Sequence, residues 1–388
     1  MPQSGRMELR KFVTPEFVFG KGALNLAGDY CANFGAEKVL LVTDPGVRRA
    51  GWTGRVETEL EGHGIPFVVF DEITSNPKDH ETMAGAEYYR SEKCDLILAV
   101  GGGSPMDCAK GIGIVSTNHR HILEFEGVDE VRVPGPPLIC IPTTAGSSAD
   151  VSQFAIITDT SRHLKIAVIS KTMVPDVALI DPATTATMPA GLTAATGMDA
   201  LVHAFEAYVS NAGSPLTDLH ALEAIRLIAV NLPLAMADQA NLHYRDRMML
   251  ASLQAGLAFS NASLGLVHGM AHSLGGALDL AHGDCNSILL EHVVGFNFDS
   301  SVDRYRDIAQ AMGVGTEGLD EPSLAAALLE AIKALRTRVG ITQTLSDLGV
   351  KPTDIPQLAG NALNDPCLAT NPKPVTAEEI GLLYEKAL

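Results

Sequence analysis

The sequence contains no CxxC pair. Its six cysteines (Cys31, Cys94, Cys108, Cys140, Cys285 and Cys367) stand far apart, which excludes a thiolate zinc site or a disulfide framework and fits a reducing cytoplasm. Positive charge is also scarce. Lys and Arg number 28 against 46 Asp and Glu, a net charge of −18; such a field repels phosphate backbones and anionic lipid surfaces, so neither nucleic acid nor membrane is an expected partner. No uninterrupted apolar run approaches the roughly 18 residues of a membrane span, and the opening MPQSGRMELRKF lacks the apolar core of a signal peptide. The expectation is a soluble, unexported chain. Internal repeats, low-complexity tracts and Ser/Gly-rich linkers are absent as well. What remains is an ordinary globular composition of 388 residues, 46% hydrophobic and 19% charged, with 36 Gly and 21 Pro. At roughly 100–200 residues per domain, that length suggests two domains.

Up to about residue 185, short β-branched or apolar runs alternate with helix-like stretches: KVLLVTD at 38–44, PFVVFD at 66–71, DLILAVGGG at 95–103 and PLICIPTT at 137–144. This alternation predicts βαβ units and a buried parallel sheet, and 165–181 reads as two further strands around a turn. Beyond MPAGLTAATG the texture changes to Ala/Leu-rich segments of helical period. We therefore expect an α/β domain over 1–184 and an all-helical domain over 185–388, packed closely around a cleft.

The run DLILAV leads into Gly101-Gly102-Gly103-Ser104-Pro105, with Ser104 placed to cap a following helix and Pro105 at its first position. Glycines let a backbone approach a ligand closely, and the free amides of a helix start favour an anion such as a pyrophosphate. The motif is not GxGxxG, and a plain strand-to-helix turn would read the same way. Asp44, ending KVLLVTD, strengthens the reading: there a carboxylate accepts hydrogen bonds from an adenosine ribose and repels a 2′-phosphate, favouring NAD over NADP. A helix N-cap is the alternative use of Asp44.

Seven of the 12 histidines lie between 203 and 292. Asp199 and His203 are four apart, as are His268 and His272, spacings that put each pair on one helix face where both members can reach one ion. His282 follows after Gly275-Gly276, a pair expected to end or bend the helix. Five groups thus compete for about four ligand positions. Imidazoles with a carboxylate and no thiolate suit Fe(II), Zn, Mn, Co or Ni, and spacing does not choose among them. His220, His243 and His292 have no such partner and read as structural.

Several long motifs in fixed order resemble the iron-containing, or group III, alcohol dehydrogenases: FVTPEFVFGKGAL, GGGSPMDCAKG, IPTTAGSSADVS, GMDALVHAFEAYVS, GLVHGMAHSLGG, AHGDCNSILLEHV and TNPKPVTAEEIGLLYEKAL. The resemblance implies an N-terminal dinucleotide-binding domain, a helical C-terminal domain in a dehydroquinate synthase-like architecture, and a divalent metal between them. It further implies Asp199, His203, His268 and His282 as metal ligands, leaving His272 as the proton relay. On the cofactor side it implies Asp44, Gly102, Gly103, Ser104, Thr143, Thr144, Ser147 and Lys165 along NAD. Phe154, Phe259 and Cys367 would line the substrate pocket, although plain core packing would suit them equally. The usual TTAGTGSEVT becomes TTAGSSADVS, which keeps hydroxyl and carboxylate chemistry at Ser147 and Asp150.

The activity so implied is reversible hydride transfer between NAD(H) and a small primary alcohol or diol and its aldehyde, by a cytoplasmic homo-oligomer, dimeric or larger. Glycerol dehydrogenase-like and dehydroquinate synthase-like enzymes share the architecture. A non-catalytic NAD- and metal-binding regulator would be a different class of reading.

Overall fold

A computed structural model describes residues 11–388; the first ten residues of the opening MPQSGRMELRKF, where a signal peptide was not expected, lie outside the described residues. Strands β1 (Glu16–Phe19), β2 (Val39–Val42), β3 (Phe67–Phe70), β4 (Leu96–Gly101), β6 (Leu138–Pro142) and β9 (Val177–Ile180) form one sheet, ordered β1-β9-β6-β4-β2-β3, every neighbouring pair parallel. Continuous apolar runs such as VLLV and LILAVG demand this, because such a strand must bury both faces. Leu40, Val42, Ile97 and Ala99 point into one core with Ala86 of α4 (Asp79–Ser91) and Ile112 of α5 (Gly103–Asn118). Val39, Leu41, Leu96 and Leu98 point the other way, against Cys31 of α1 (Ala27–Asn33) and Val56 of α3 (Trp52–Gly62). The short α2 (Pro45–Arg49) follows β2 directly.

The expectation of two strands over 165–181 holds, but they belong to different sheets. β8 (Leu164–Ile169) pairs antiparallel with β7 (Phe154–Asp159) and parallel with the two-residue β5 (Gly127–Val128), while β9 enters the main sheet. The sequence reading placed no strand at β7. Its turn to β8 takes a positive backbone angle at His163 rather than at Gly or Asn, so the usual hairpin punctuation is missing.

Helices α6 (Ala190–Val209), α7 (Pro215–Ala237), α8 (Leu242–Ala262), α9 (Leu266–Leu278), α10 (His282–Asn297), α11 (Val302–Ala311), α12 (Glu321–Arg338), α13 (Ile355–Leu363) and α14 (Ala377–Ala387) build the second half around one large apolar core. α7 is long and apolar enough to cross a membrane by length and composition, with a mean hydropathy of 1.4 over its best window, half of it buried. It packs against α6 and α8 as a core helix.

Gly275-Gly276 does not end its helix, which runs on to Leu278 and stops at Asp279 in the left-handed conformation. Close packing on β8 is what these glycines permit. A Cβ at Gly275 would lie 2.7 Å from Lys165 Cε, and one at Gly276 only 2.4 Å from Leu164 Cα. Backbone cannot yield as a side chain can, so Gly276→Ala is expected to destabilise the protein by about 1–3 kcal/mol. Gly360, inside α13 with open space around it, is the control: Gly360→Ala should stabilise by about 1 kcal/mol. Denaturant unfolding of the two variants checks both.

Candidate active site where the sheet meets the helices

Ligands of open parallel sheets bind beyond the carboxyl ends of the strands where the strand order reverses. Here that point lies between β2 and β4. Asp44, directly after β2, caps α2: its Oδ1 accepts the Gly46 and Val47 amides at 2.7 and 3.0 Å. The capping use of Asp44 is therefore real, and the residue also lines the cleft described below.

After β4 the helix α5 begins at Gly103, with Gly102 as its N-cap and no side-chain cap bond. Ser104 is thus not the cap but already helical, because Gly102 itself takes the extended conformation that opens the helix. The Thr143 amide donates to the Gly101 carbonyl at 2.8 Å, pinning the neighbouring loop to the glycine turn. A Cβ at Gly102 would meet Thr144 Cγ2 at 3.1 Å, and one at Gly103 would meet Ser147 Cβ at the same distance. The uncapped amides of α5 and the hydroxyls of Thr144 and Ser147 thereby share a cradle that side chains on the turn would fill. That arrangement fits a pyrophosphate.

A cavity of about 1030 Å³ runs from this cradle to the helical half. Asp44, Gly102, Gly103, Ser104, Thr143, Thr144, Ser147 and Lys165 line it, as do Phe154, Phe259 and the five metal or relay candidates. Cys367 does not. It is fully buried behind Asp365, whose Oδ1 accepts the Cys367 amide, so its expected place on the pocket wall is corrected to a supporting one. Asp150 is likewise buried away from the cavity wall, its carboxyl pushed up to about 6 by burial.

At the helical end, ligand atoms from Asp199, His203, His268 and His282 all lie within 4.8 Å of one another. The Nε2 atoms of His282, His268 and His203 stand 3.7, 3.9 and 4.0 Å from Asp199 Oδ1. These separations slightly exceed the edge of about 3.4 Å that tetrahedral bonds of about 2.1 Å would give. α6 supplies Asp199 and His203 from successive turns, α9 supplies His268, and the left-handed Asp279 turns the chain back so that α10 opens on His282. Burial lowers His203 to about 4 and His268 to about 3, so both imidazoles are neutral near pH 7. Phe259 stacks on His203 at 4.3 Å between ring centres. Three neutral imidazoles and a carboxylate, buried and convergent, fit a borderline divalent cation.

His272 stands beside this group, its Nδ1 2.8 Å from Asp365 Oδ2 and its ring stacked on His282. Lys165 crosses Gly275 to reach the cavity, its ammonium lowered to about 8 by burial. His220 pairs instead with Gln254, and neither His243 nor His292 belongs to the cluster.

The sequence reading missed four polar residues here. Glu206 contacts His268 Nδ1 at 2.6 Å, and its signal was legible because 199, 203 and 206 continue one helix face. Asn286 donates from Nδ2 to Asp199 Oδ1 at 2.6 Å, and lies 3.2 and 3.1 Å from the Nε2 atoms of His268 and His282. Asp107 lines the cavity one turn into α5, accepting the Ile156 amide, with its carboxyl raised to about 6 by burial. Asp365 lies 93 residues from His272 and gave no signal at all.

Comparison with known proteins places these observations in context. The sequence model of the iron-containing alcohol dehydrogenases matches residues 14–182, and that of the C-terminal region of the Fe-containing alcohol dehydrogenase family matches 193–388. The chain is 43% identical over 371 residues to the 1,3-propanediol dehydrogenase of Citrobacter freundii, covering 95% of this chain and 96% of that one. It is 37% identical to the NAD-dependent methanol dehydrogenase of Bacillus methanolicus, covering 97% and 99%. The solved alcohol dehydrogenase of Oenococcus oeni superposes with a TM-score of 0.95 at 38% identity, covering 98% of this chain and all of that one.

The geometry separates ligand from neighbour. His268→Ala and His282→Ala are each expected to abolish stoichiometric uptake of a divalent ion, whereas His272→Ala should keep it. Metal analysis after dialysis against a weak chelator checks this, and loss of the ion in His272→Ala would make that residue a ligand.

Proposed function

This chain belongs to the iron-containing alcohol dehydrogenase family, and on that premise we propose that it is a metal-dependent, NAD-linked dehydrogenase interconverting small primary alcohols or diols with their aldehydes. The observation that carries the reading is the cavity joining an uncapped helix start on the sheet to a convergent carboxylate and three imidazoles. We assign Asp199, His203, His268 and His282 to one divalent ion, with Fe(II) the proposed native metal among several that suit these donors. Asp44 and Lys165 are assigned to the two riboses of NAD, and Gly102, Gly103, Ser104, Thr143, Thr144 and Ser147 to its pyrophosphate side. The family matches on either side of 184 support dividing the chain there.

When bound, the ion supplies a Lewis acid that lowers the alcohol pKa, and NAD supplies the carbon that accepts or returns hydride. The chain does the rest. His272, with Nδ1 held by Asp365, has Nε2 left to take the alcohol proton out of the buried cleft. Asp365 is suited to holding it as a carboxylate: burial opposes its charge, yet His272 and the Cys367 amide keep it below the ordinary carboxylate range. Phe154 and Phe259, with ring centres 5.7 Å apart, give the substrate end an apolar wall that excludes water and favours aliphatic chains over heavily hydroxylated ones. We also propose a homo-oligomer, supported by Leu216, Leu219 and Val230 exposed along α7, and a cytoplasmic location, supported by six free buried cysteines.

NADH formation by anaerobically purified, Fe(II)-reconstituted protein over a panel of primary alcohols and diols tests the reaction. Turnover should be lost on chelation; silence across the panel with NADH still bound would favour a lyase or a sensor. His272→Ala is expected to lower kcat far more than metal content. NAD should outperform NADP, and Asp44→Gly should narrow the gap, measured as the ratio of the two kcat/KM values; equal use of both by the parent would remove Asp44 from the ribose site.

A further inference from the structure

Glu206 takes part in none of the steps above, yet it is a carboxylate 6% exposed in the middle of the metal-binding helices. It projects from α6, the helix of Asp199 and His203, toward α9, the helix of His268. One oxygen, Oε1, accepts the Val267 amide at 2.6 Å; the other, Oε2, meets His268 Nδ1 at 2.6 Å. The N-cap of α9 is Gly265, which has no side chain to offer, and a Cβ there would stand 3.0 Å from Glu206 Oε1. The opening amides of α9 are therefore satisfied from outside, Val267 by Glu206 and Leu266 by Asn371.

We propose that Glu206 is the positioning residue of the metal centre: by accepting a hydrogen bond from His268 Nδ1–H it fixes the tautomer whose Nε2 lone pair faces the ion. The proposal rests on the ligand set assigned above and deepens it. A neutral imidazole carries one ring proton, so whichever nitrogen holds it cannot bind metal. Nε2 of His268 is the atom turned toward Asp199, His203 and His282; the proton must sit on Nδ1, and a carboxylate acceptor there holds it in place. Burial raises the Glu206 carboxyl to about 7, the backbone amides at the start of α9 pull it back down, and the helix dipole there favours its charged form. Both oxygens are committed to donors, and that commitment makes the role specific to a carboxylate.

Glutamine shows why. If its amide oxygen keeps the Val267 bond, its NH₂ points at His268 Nδ1 and selects the tautomer with the proton on Nε2, facing the ion. If the amide is turned round, its NH₂ opposes the Val267 amide, donor against donor. Size and shape are preserved in either case, so a residue that merely filled space would tolerate the change.

The test compares Glu206→Gln with the parent by chelator competition for Zn(II) and by the visible spectrum of the Co(II)-loaded protein. Asn371→Ala, which removes the other cap of α9 without touching His268, serves as the control for structural loss. The dissociation constant for the ion should rise about 10–100-fold in Glu206→Gln, with an altered Co(II) spectrum and unchanged NADH affinity, while Asn371→Ala loses stability but little metal affinity. Parent-like metal affinity and spectrum in Glu206→Gln overturn the proposal alone. A parent that binds no divalent ion overturns the reading of the site and this proposal with it. Should the Gln variant fail to fold, ¹⁵N-histidine NMR of the Zn(II)-loaded parent decides, a protonated Nδ1 on His268 supporting the assignment and a bare one refuting it.

Discussion

The structure turns on gathering a carboxylate and three imidazoles inside a largely apolar helical core. Polar groups taken out of water cost free energy unless they are paired. Here the Nε2 atoms of His203, His268 and His282 crowd within 4.0 Å of Asp199 Oδ1, and among the described residues the Nδ1 atoms of His203 and His282 have no hydrogen-bond partner. A divalent cation would engage the converging Nε2 atoms and the Asp199 charge together, and metal ligation and tertiary stability are then one free energy. The surrounding helices are arranged accordingly, with α10 turned back by a single left-handed residue and packed against both α6 and α9.

The sheet solves a different problem, that of holding an anion without a cluster of cations. Among the described residues Lys165 and Arg49 are the cavity's only lysine and arginine, and the glycine turn of the phosphate end offers glycines, hydroxyls and free amides. In a chain of net charge −18 this has physical sense: amide dipoles fixed by β4 and α5 attract a pyrophosphate locally, whatever the field of the whole molecule. The strand order brings Asp44 and the glycine turn to adjacent strand ends, so one extended ligand can touch both.

Much of this was legible in the sequence because it is local. Continuous apolar runs gave the parallel strands, the i,i+4 spacing gave two polar pairs on helix faces, and Gly101-Gly102-Gly103 after an apolar run gave the cradle. What escaped reading was either non-local or conveyed by shape. Asp365 finds His272 only through the packing of α13 beside α9. The β7 strand hid behind a hairpin turn made without glycine. Gly275-Gly276 looked like a break because glycine is a poor helix former, and only the approach of β8 shows why a helix keeps both. Cys367 sat where the pocket was expected, but one layer too deep.

That approach of β8 to α9 bears on how the chain can be divided. In sequence the β7–β8 hairpin belongs to the first half, and Lys110 of α5 ties it there by donating to the Ser152 and Phe154 carbonyls. In space β8 lies on the glycine face of α9, the helix bearing His268 and His272. The hairpin is a seam shared by both halves. Two polypeptides cut near residue 184 would each expose one side of that seam, and they would regain a working cleft by reassociating as complementary fragments rather than by folding as independent modules.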